Sequence, residues 1–223
     1  IGLTVRMRTR RRTLGRILAG VLRAVGDALD ERGERRDAVA ARRSIRSFLD
    51  TPVSDDLLRE LLTKAARAPS GGNVQPWQIK VINGARMQAF LQHMASQEIR
   101  EKPAYEIYPR ELPSPYRDSR FKVGEDMYGL LGIPREDKAA RFAHLARNFK
   151  FFGAPTAFFC LIEKTMGPPQ WSDLGMFLQT FMLLAQEAGI DTCAQEAWAT
   201  RPNAVTSFLQ TPDSLMLFCG MAI

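Results

Sequence analysis

Arg42, Ser44 and Arg46 stand at alternate positions in Arg42-Arg43-Ser44-Ile45-Arg46-Ser47-Phe48. Alternate residues of an extended segment share a face, so Ser44, Arg46 and Phe48 align, and Arg42 joins them from the end of a preceding helix. Each guanidinium offers paired N–H donors, and two of them beside a hydroxyl suit a phosphate. Taken alone, the pattern also describes a solvated basic edge with one buried Phe. A second stretch, Ala68-Pro69-Ser70-Gly71-Gly72-Asn73-Val74-Gln75-Pro76-Trp77, is dense in special-backbone residues. Its prolines fix φ, its adjacent glycines permit φ > 0 or close approach to a ligand, and Ser, Asn and Gln supply short hydrogen-bonding arms. Alone, it reads as a helix end followed by a turn.

Other chemistries find little support. The only histidines are His93 and His144, and no Cys or His pair has metal-ligand spacing, so no metal site is expected. No G-x-S-x-G turn marks a hydrolase nucleophile. Cys160, Cys193 and Cys219 are odd in number and irregular in spacing, and two lie in apolar runs. They read as free thiols in a reducing compartment, which favours the cytoplasm.

The two stretches need elements to hold them. Asp37–Arg43 reads as helix, and Ser44–Pro52 as extended chain. Ser54 is an N-cap with Asp55 and Asp56 in the first turn, opening a helix through Ala68 with Leu57, Leu58, Leu61, Leu62 and Ala65 on its apolar face. The second stretch follows, and Trp77–Ile82 alternates as a half-buried strand. A helix over Ala85–Arg100 precedes residues 103–120, whose prolines and tyrosines lack periodicity and read as a long loop covering a site. Further helices are expected over Glu136–Phe151, Ser172–Ala188 and Ala199–Leu209, with Gly167-Pro-Pro169 as a break and Gly189 past a helix end. Buried strands are expected over Ala157–Ile162 and Leu215–Ile223. Helices outnumber strands and alternate with them, which gives α+β or α/β with a small covered sheet.

The net charge of +7 suggests nucleic acid or membrane until it is located. Residues 1–36 hold ten arginines against four acids, and the other 187 residues carry 21 basic and 20 acidic side chains. The body is therefore near neutral, which argues against a wide nucleic-acid footprint. Within the arm, Leu14, Ile17, Leu18, Val21, Leu22, Val25 and Leu29 form an amphipathic helical stripe. That stripe fits packing on the body or a partner subunit, a targeting segment, or a membrane surface. The chain begins with Ile and stops inside an expected strand, so a fragment is suspected at either end.

Together, Arg42-x-Ser44-x-Arg46-x-Phe48, a helix of about 20 residues, and Ala68-Pro-Ser-Gly-Gly-Asn-x-Gln-Pro-Trp77 resemble the nitroreductase family of FMN-dependent oxidoreductases. Gly153-Ala-Pro155, Asp173-Leu-Gly-Met-Phe-Leu-Gln179 and Gly189–Glu196 extend the resemblance over residues 37–223. The arm, residues 1–36, lies outside it. The resemblance implies an α+β fold, a mixed sheet covered by helices, in an intertwined homodimer with two FMN sites at the subunit interface. It implies cofactor contacts from Arg42, Arg43, Ser44 and Arg46, and from Pro69, Ser70, Gly71, Gly72, Asn73 and Gln75 of the other subunit. Backbone N–H groups near Gln195 and Glu196 would face the flavin. Tyr116 and Trp171 are candidates for the substrate pocket, with core packing as the plainer role for Trp171.

Flavin chemistry needs no side-chain nucleophile, because the cofactor takes the hydride and the protein supplies position and charge. The expected reaction is ping-pong: NAD(P)H reduces FMN, and a small-molecule acceptor such as a nitroaromatic or quinone then takes the electrons. A dehalogenase-like enzyme of the same fold and a flavin-binding module without turnover are the alternatives. Family members usually continue with a tail that wraps the partner and adds a basic residue near the phosphate, and the given sequence stops before it.

Overall fold

The computed structural model describes residues 4–5, 37–98 and 100–223. The arm stripe at residues 14–29 lies outside the described residues. The strands are β1 (Thr4–Val5), β2 (Gln78–Asn83), β3 (Thr156–Glu163), β4 (Cys193–Gln195) and β5 (Leu215–Ala222), in the spatial order β1-β2-β3-β5-β4. Among the described residues every ladder is antiparallel, and the one parallel component is a single bridge from Ser44 to Thr192. The expected mixed character of the sheet thus reduces to that bridge.

β3 shows why its sequence is apolar throughout. Ala157, Phe159 and Leu161 enter one core, while Phe158, Cys160 and Ile162 enter the other, so both faces of the sheet are covered. Helices α2 (Asp55–Ala65) and α6 (Pro168–Glu187) cover one face through Leu58, Leu61, Leu62, Leu174, Phe177 and Phe181. Helices α3 (Gly84–Ser96) and α7 (Pro202–Leu209) cover the other through Met87, Phe90, Met94, Val205 and Leu209. Each such side chain, fully buried, contributes on the order of 1.5–3 kcal/mol. A bulge after Phe218 changes the parity of β5: Leu215 and Leu217 face one core, Cys219 and Met221 the other.

Three features depart from expectation. Pro168 and Pro169 form the first turn of α6 rather than a break before it, because a missing N–H costs nothing at a helix start. The expected Glu136–Phe151 helix stops as α5 (Lys138–Ala146) and tightens into a 3-10 segment over Arg147–Gly153. The end of the expected loop is helix: α4 spans Tyr116–Leu130, taking in residues 116–120, and buries none of its residues in this chain. With no core-facing stripe, it left no periodic signal to read.

Candidate functional site

The first wall begins with α1 (Ala38–Ala41), capped by the Asp37 carboxylate at 3.0 and 3.2 Å from the Val39 and Ala40 amides. Arg43 folds back, and its Nη1 donates to the carbonyls of Ala40 (2.6 Å) and Arg42 (3.0 Å). Its guanidinium closes the helix end, so the structure commits Arg43 to its own backbone. The chain then runs extended beside β4, fixed by Ile45 N donating to Thr192 O at 3.1 Å. Phe48 packs into the core under α3 and α7. This leaves Arg42 and Arg46 beside Cys193. Burial pushes the Cys193 thiol up, and the charges of Arg46 and Arg42 oppose that rise.

The second wall follows α2, whose Ser54 hydroxyl accepts from Leu57 N at 3.2 Å. Gly72, Asn73 and Gln75 have φ of 56°, 57° and 50°, so two side-chain-bearing residues sit in the left-handed region. Such residues cost on the order of 1–3 kcal/mol each and persist only where neighbours over-determine them. Here the neighbours are explicit. Gly71 N donates to both carboxylate oxygens of Asp173 (3.2 and 3.3 Å), Gln75 N donates to Ser70 Oγ (3.0 Å), and Gln75 Nε2 donates to Asn73 Oδ1 (2.8 Å). Trp77 stacks on Phe177 of α6 at 5.1 Å. A Cβ placed on Gly71 would meet nothing within 4 Å, so this backbone presents an open face.

β4 forms the third part. Gln195 is only 2% exposed. Its Nε2 donates to Asn148 O (2.8 Å) and Oδ1 (3.2 Å), and its Oε1 accepts from Trp198 Nε1 (3.3 Å). The side chain is therefore a brace behind the wall. Trp198 lies against Gly220, where a Cβ would come within 2.4 Å of the indole, so only glycine fits there. The Tyr108 hydroxyl donates a hydrogen bond to the Glu196 carboxylate. Tyr108 thereby ties the 103–115 segment to the end of β4, and Tyr105 adds a hydrogen bond to the Phe218 carbonyl at the bulge. Trp171 packs between Tyr105 and Phe218, at 5.3 and 5.9 Å, in the aromatic packing that is its plainer role. Tyr116 is 66% exposed at the start of α4.

The Arg42–Arg46 segment thus runs beside Thr192 and Cys193 at the start of β4, whereas Pro69–Asn73 lies elsewhere in the same chain. Phe48 belongs to one core, and Ala68 and Trp77 to the other. Asp173, which holds Gly71, sits near the start of α6, and Thr192, which holds Ile45, lies beyond its end. The helical rise between Asp173 and Glu187 alone is about 21 Å.

Comparison with known proteins decides the family. The sequence model of the nitroreductase family matches residues 39–223. The chain belongs to the nitroreductase family. It is 38% identical over 187 residues to the 4-nitrobenzoate reductase of Pseudomonas putida, covering 83% of this chain and 82% of that one. It is 33% identical over 192 residues to the nitrobenzene nitroreductase of Ectopseudomonas oleovorans, covering 84% of each. Its fold matches the crystal structure of the FMN- and NADPH-dependent nitroreductase NfnB from Sphigopyxis sp. strain HMH with a TM-score of 0.80 and 46% identity, over 83% of this chain and 85% of that one.

The residues of this nitroreductase suit a flavin phosphate. Among the described residues, Arg42 and Arg46 form no ion pair, and the six ion pairs present engage other cations. Guanidinium groups without a carboxylate partner are a donor set for an external anion. Two neighbours of these stretches were not read as site residues from the sequence. Asp173 lies 102 residues from the glycine it holds, and no local pattern links them. Arg147 was absorbed into a helical pattern, yet its guanidinium and that of Arg46 each stand 6.0 Å from the Phe152 ring centre.

Proposed function

We propose that this protein is an NAD(P)H-dependent FMN oxidoreductase that reduces nitroaromatic compounds, with residues 37–223 as its flavin-binding unit. The observation that carries the reading is that, among the described residues, Arg42 and Arg46 stand beside β4 without a carboxylate partner, Arg46 donating only to the Ser44 carbonyl at 3.1 Å, in a family that includes a 4-nitrobenzoate reductase and a nitrobenzene nitroreductase. Bound FMN would accept a hydride from the nicotinamide and deliver two electrons to the acceptor.

The chain's own residues bind and orient. Arg42, Ser44 and Arg46 hold the phosphate and the adjoining flavin edge, where charge-assisted hydrogen bonds are shorter and stronger than neutral ones. Asp173 fixes the Gly71 amide, so the Gly71–Asn73 backbone offers the ring a preset surface free of side chains. Gln195 braces β4 from behind, and the backbone at Glu196 faces the ligand. The Tyr108 bond to Glu196 sets the 103–115 segment over that end. Positioning of this kind is what brings two reactants into near-attack distance.

A homodimer completes the site. Two observations support it: the two walls are separated by the length of α6, and α4 and α5 leave Phe121, Val123, Leu130, Leu131, Phe142 and Leu145 exposed. A second copy packed on these helices would cover those side chains. Pro69–Asn73 of one copy then reaches the Arg42–Arg46 wall of the other.

Anaerobic spectroscopy tests the function. The purified protein, supplied with FMN, should be yellow, bleach on addition of NADPH or NADH, and recolour with 4-nitrobenzoate. A yellow protein that neither nicotinamide bleaches would contradict turnover, and a protein that retains no FMN would contradict the site.

A further inference from the structure

We propose that Arg147 is a third guanidinium of the phosphate cradle, acting with Arg42 and Arg46 on the FMN phosphate. The proposal rests on the FMN reading above and adds to it a residue that no motif marks.

The geometry is a chain of shared neighbours. Arg46 and Arg147 each place their guanidinium carbon 6.0 Å from the centre of the Phe152 ring. Both charges also bear on His144, whose imidazole is pushed below its usual value by burial first, then by Arg147 and Arg46. On the other side, Cys193 feels Arg46 and Arg42. Arg46 therefore shares a neighbour with each of the other two cations. Among the described residues, none of the three is ion-paired, and the Arg147 side chain makes no hydrogen bond.

The fold holds Arg147 there against like-charge repulsion. Its neighbour Asn148 is gripped by Gln195 through both carbonyl oxygens, at 2.8 and 3.2 Å. Phe149 sets its ring edge-on to Trp198 at 5.3 Å. Phe151 and Phe152, both buried, take left-handed φ of 47° and 54°, an unfavourable pair of conformations sustained by their packing. The end of α5 favours one cation through its helix dipole, but that does not account for Arg46 converging on the same ring from another element. A phosphate monoester carries a charge of about −1.5 to −2 near neutral pH, which compensates a cluster of this sign and size.

The test is a titration of the full chain, freed of flavin, with FMN and separately with riboflavin, which lacks the phosphate. Quenching of flavin fluorescence gives both dissociation constants. R147M keeps the aliphatic stem against Phe152 and removes the charge, R147K restores a charge, and R42M serves as the reference for a cradle residue. R147M should raise the FMN dissociation constant by about tenfold or more, the weight of a hydrogen bond to a charged group, leave riboflavin binding unchanged, and be largely rescued by R147K. Equal weakening of both ligands by R147M, or of neither, overturns the assignment of Arg147 while R42M still discriminates. Wild-type protein that binds FMN no more tightly than riboflavin overturns the phosphate cradle as a whole.

Discussion

The Arg42–Phe48 and Pro69–Trp77 walls are held by opposite means. The first is extended chain tied to a strand edge by the backbone bond from Ile45 to Thr192, and its working groups are guanidiniums with no carboxylate partner among the described residues. The second is a strained turn with three left-handed residues, locked by a buried carboxylate and by its own side chains, and what it offers is backbone. A wall made of charge can lose one side chain and keep its shape. A wall made of backbone keeps its chemistry only while its supports survive. The two should therefore fail differently.

The largest effect is expected at Asp173, which is 4% exposed. Asp173→Ala leaves the Gly71 amide without its acceptor and should cost roughly 1.5–3 kcal/mol in urea unfolding. FMN affinity should fall with it, and the loss should be insensitive to salt. Arg42→Ala should show the reverse: FMN affinity lower by roughly 1.5–3 kcal/mol, a weaker salt dependence of binding, and an unchanged unfolding midpoint. If both variants lose stability, or both lose only salt-sensitive affinity, the contrast between the walls is wrong. Gly220→Ala drives a Cβ into the buried Trp198 and should cost about 1–3 kcal/mol through overpacking, loosening the Gln195 brace of the first wall while leaving the second intact.

Smaller effects sharpen the comparison. Tyr105 is held protonated well above its ordinary value of 10.0, by burial first and then by Cys219 and Glu196 nearby. Its folded form binds the proton more tightly than the unfolded chain, so its contribution is present below pH 10 and lost as the pH rises above that. The melting temperature should therefore fall more steeply above pH 10 in the wild type than in Tyr105→Phe, and parallel curves would remove Tyr105 as the cause. Arg43→Ala is the smallest change. Its guanidinium closes α1, so FMN retention should be unaltered and stability within about 0.5 kcal/mol. A large loss of FMN there would return Arg43 to the site.

The legibility of the sequence followed the range of the interactions. Helix α2 was readable because its cap, acidic first turn and apolar face lie within one short segment. The helical stripe Leu58, Leu61, Leu62 and Ala65 is buried as its spacing requires. The turn at Gly71–Asn73 was readable as a special backbone, but its anchor Asp173 belongs to another helix. At Gln195 the expectation concerned the backbone N–H groups, and the role of the side chain was not legible: it turns to Asn148 and Trp198, partners that only the folded sheet brings within reach. Helix α4 was hidden because it buries nothing in one chain, so the pattern that normally reveals a helix had no core to answer to.

The most direct test of a site shared between two copies is a mixed dimer. Arg42→Ala and Asp173→Ala subunits, carrying different affinity tags and purified as the heterodimer, place both defects in one site and none in the other. The account predicts one tightly bound FMN per heterodimer, with the affinity of the wild type, although neither parent homodimer binds tightly. A heterodimer with no tight site would mean that each chain builds both walls of its own site, and would contradict it.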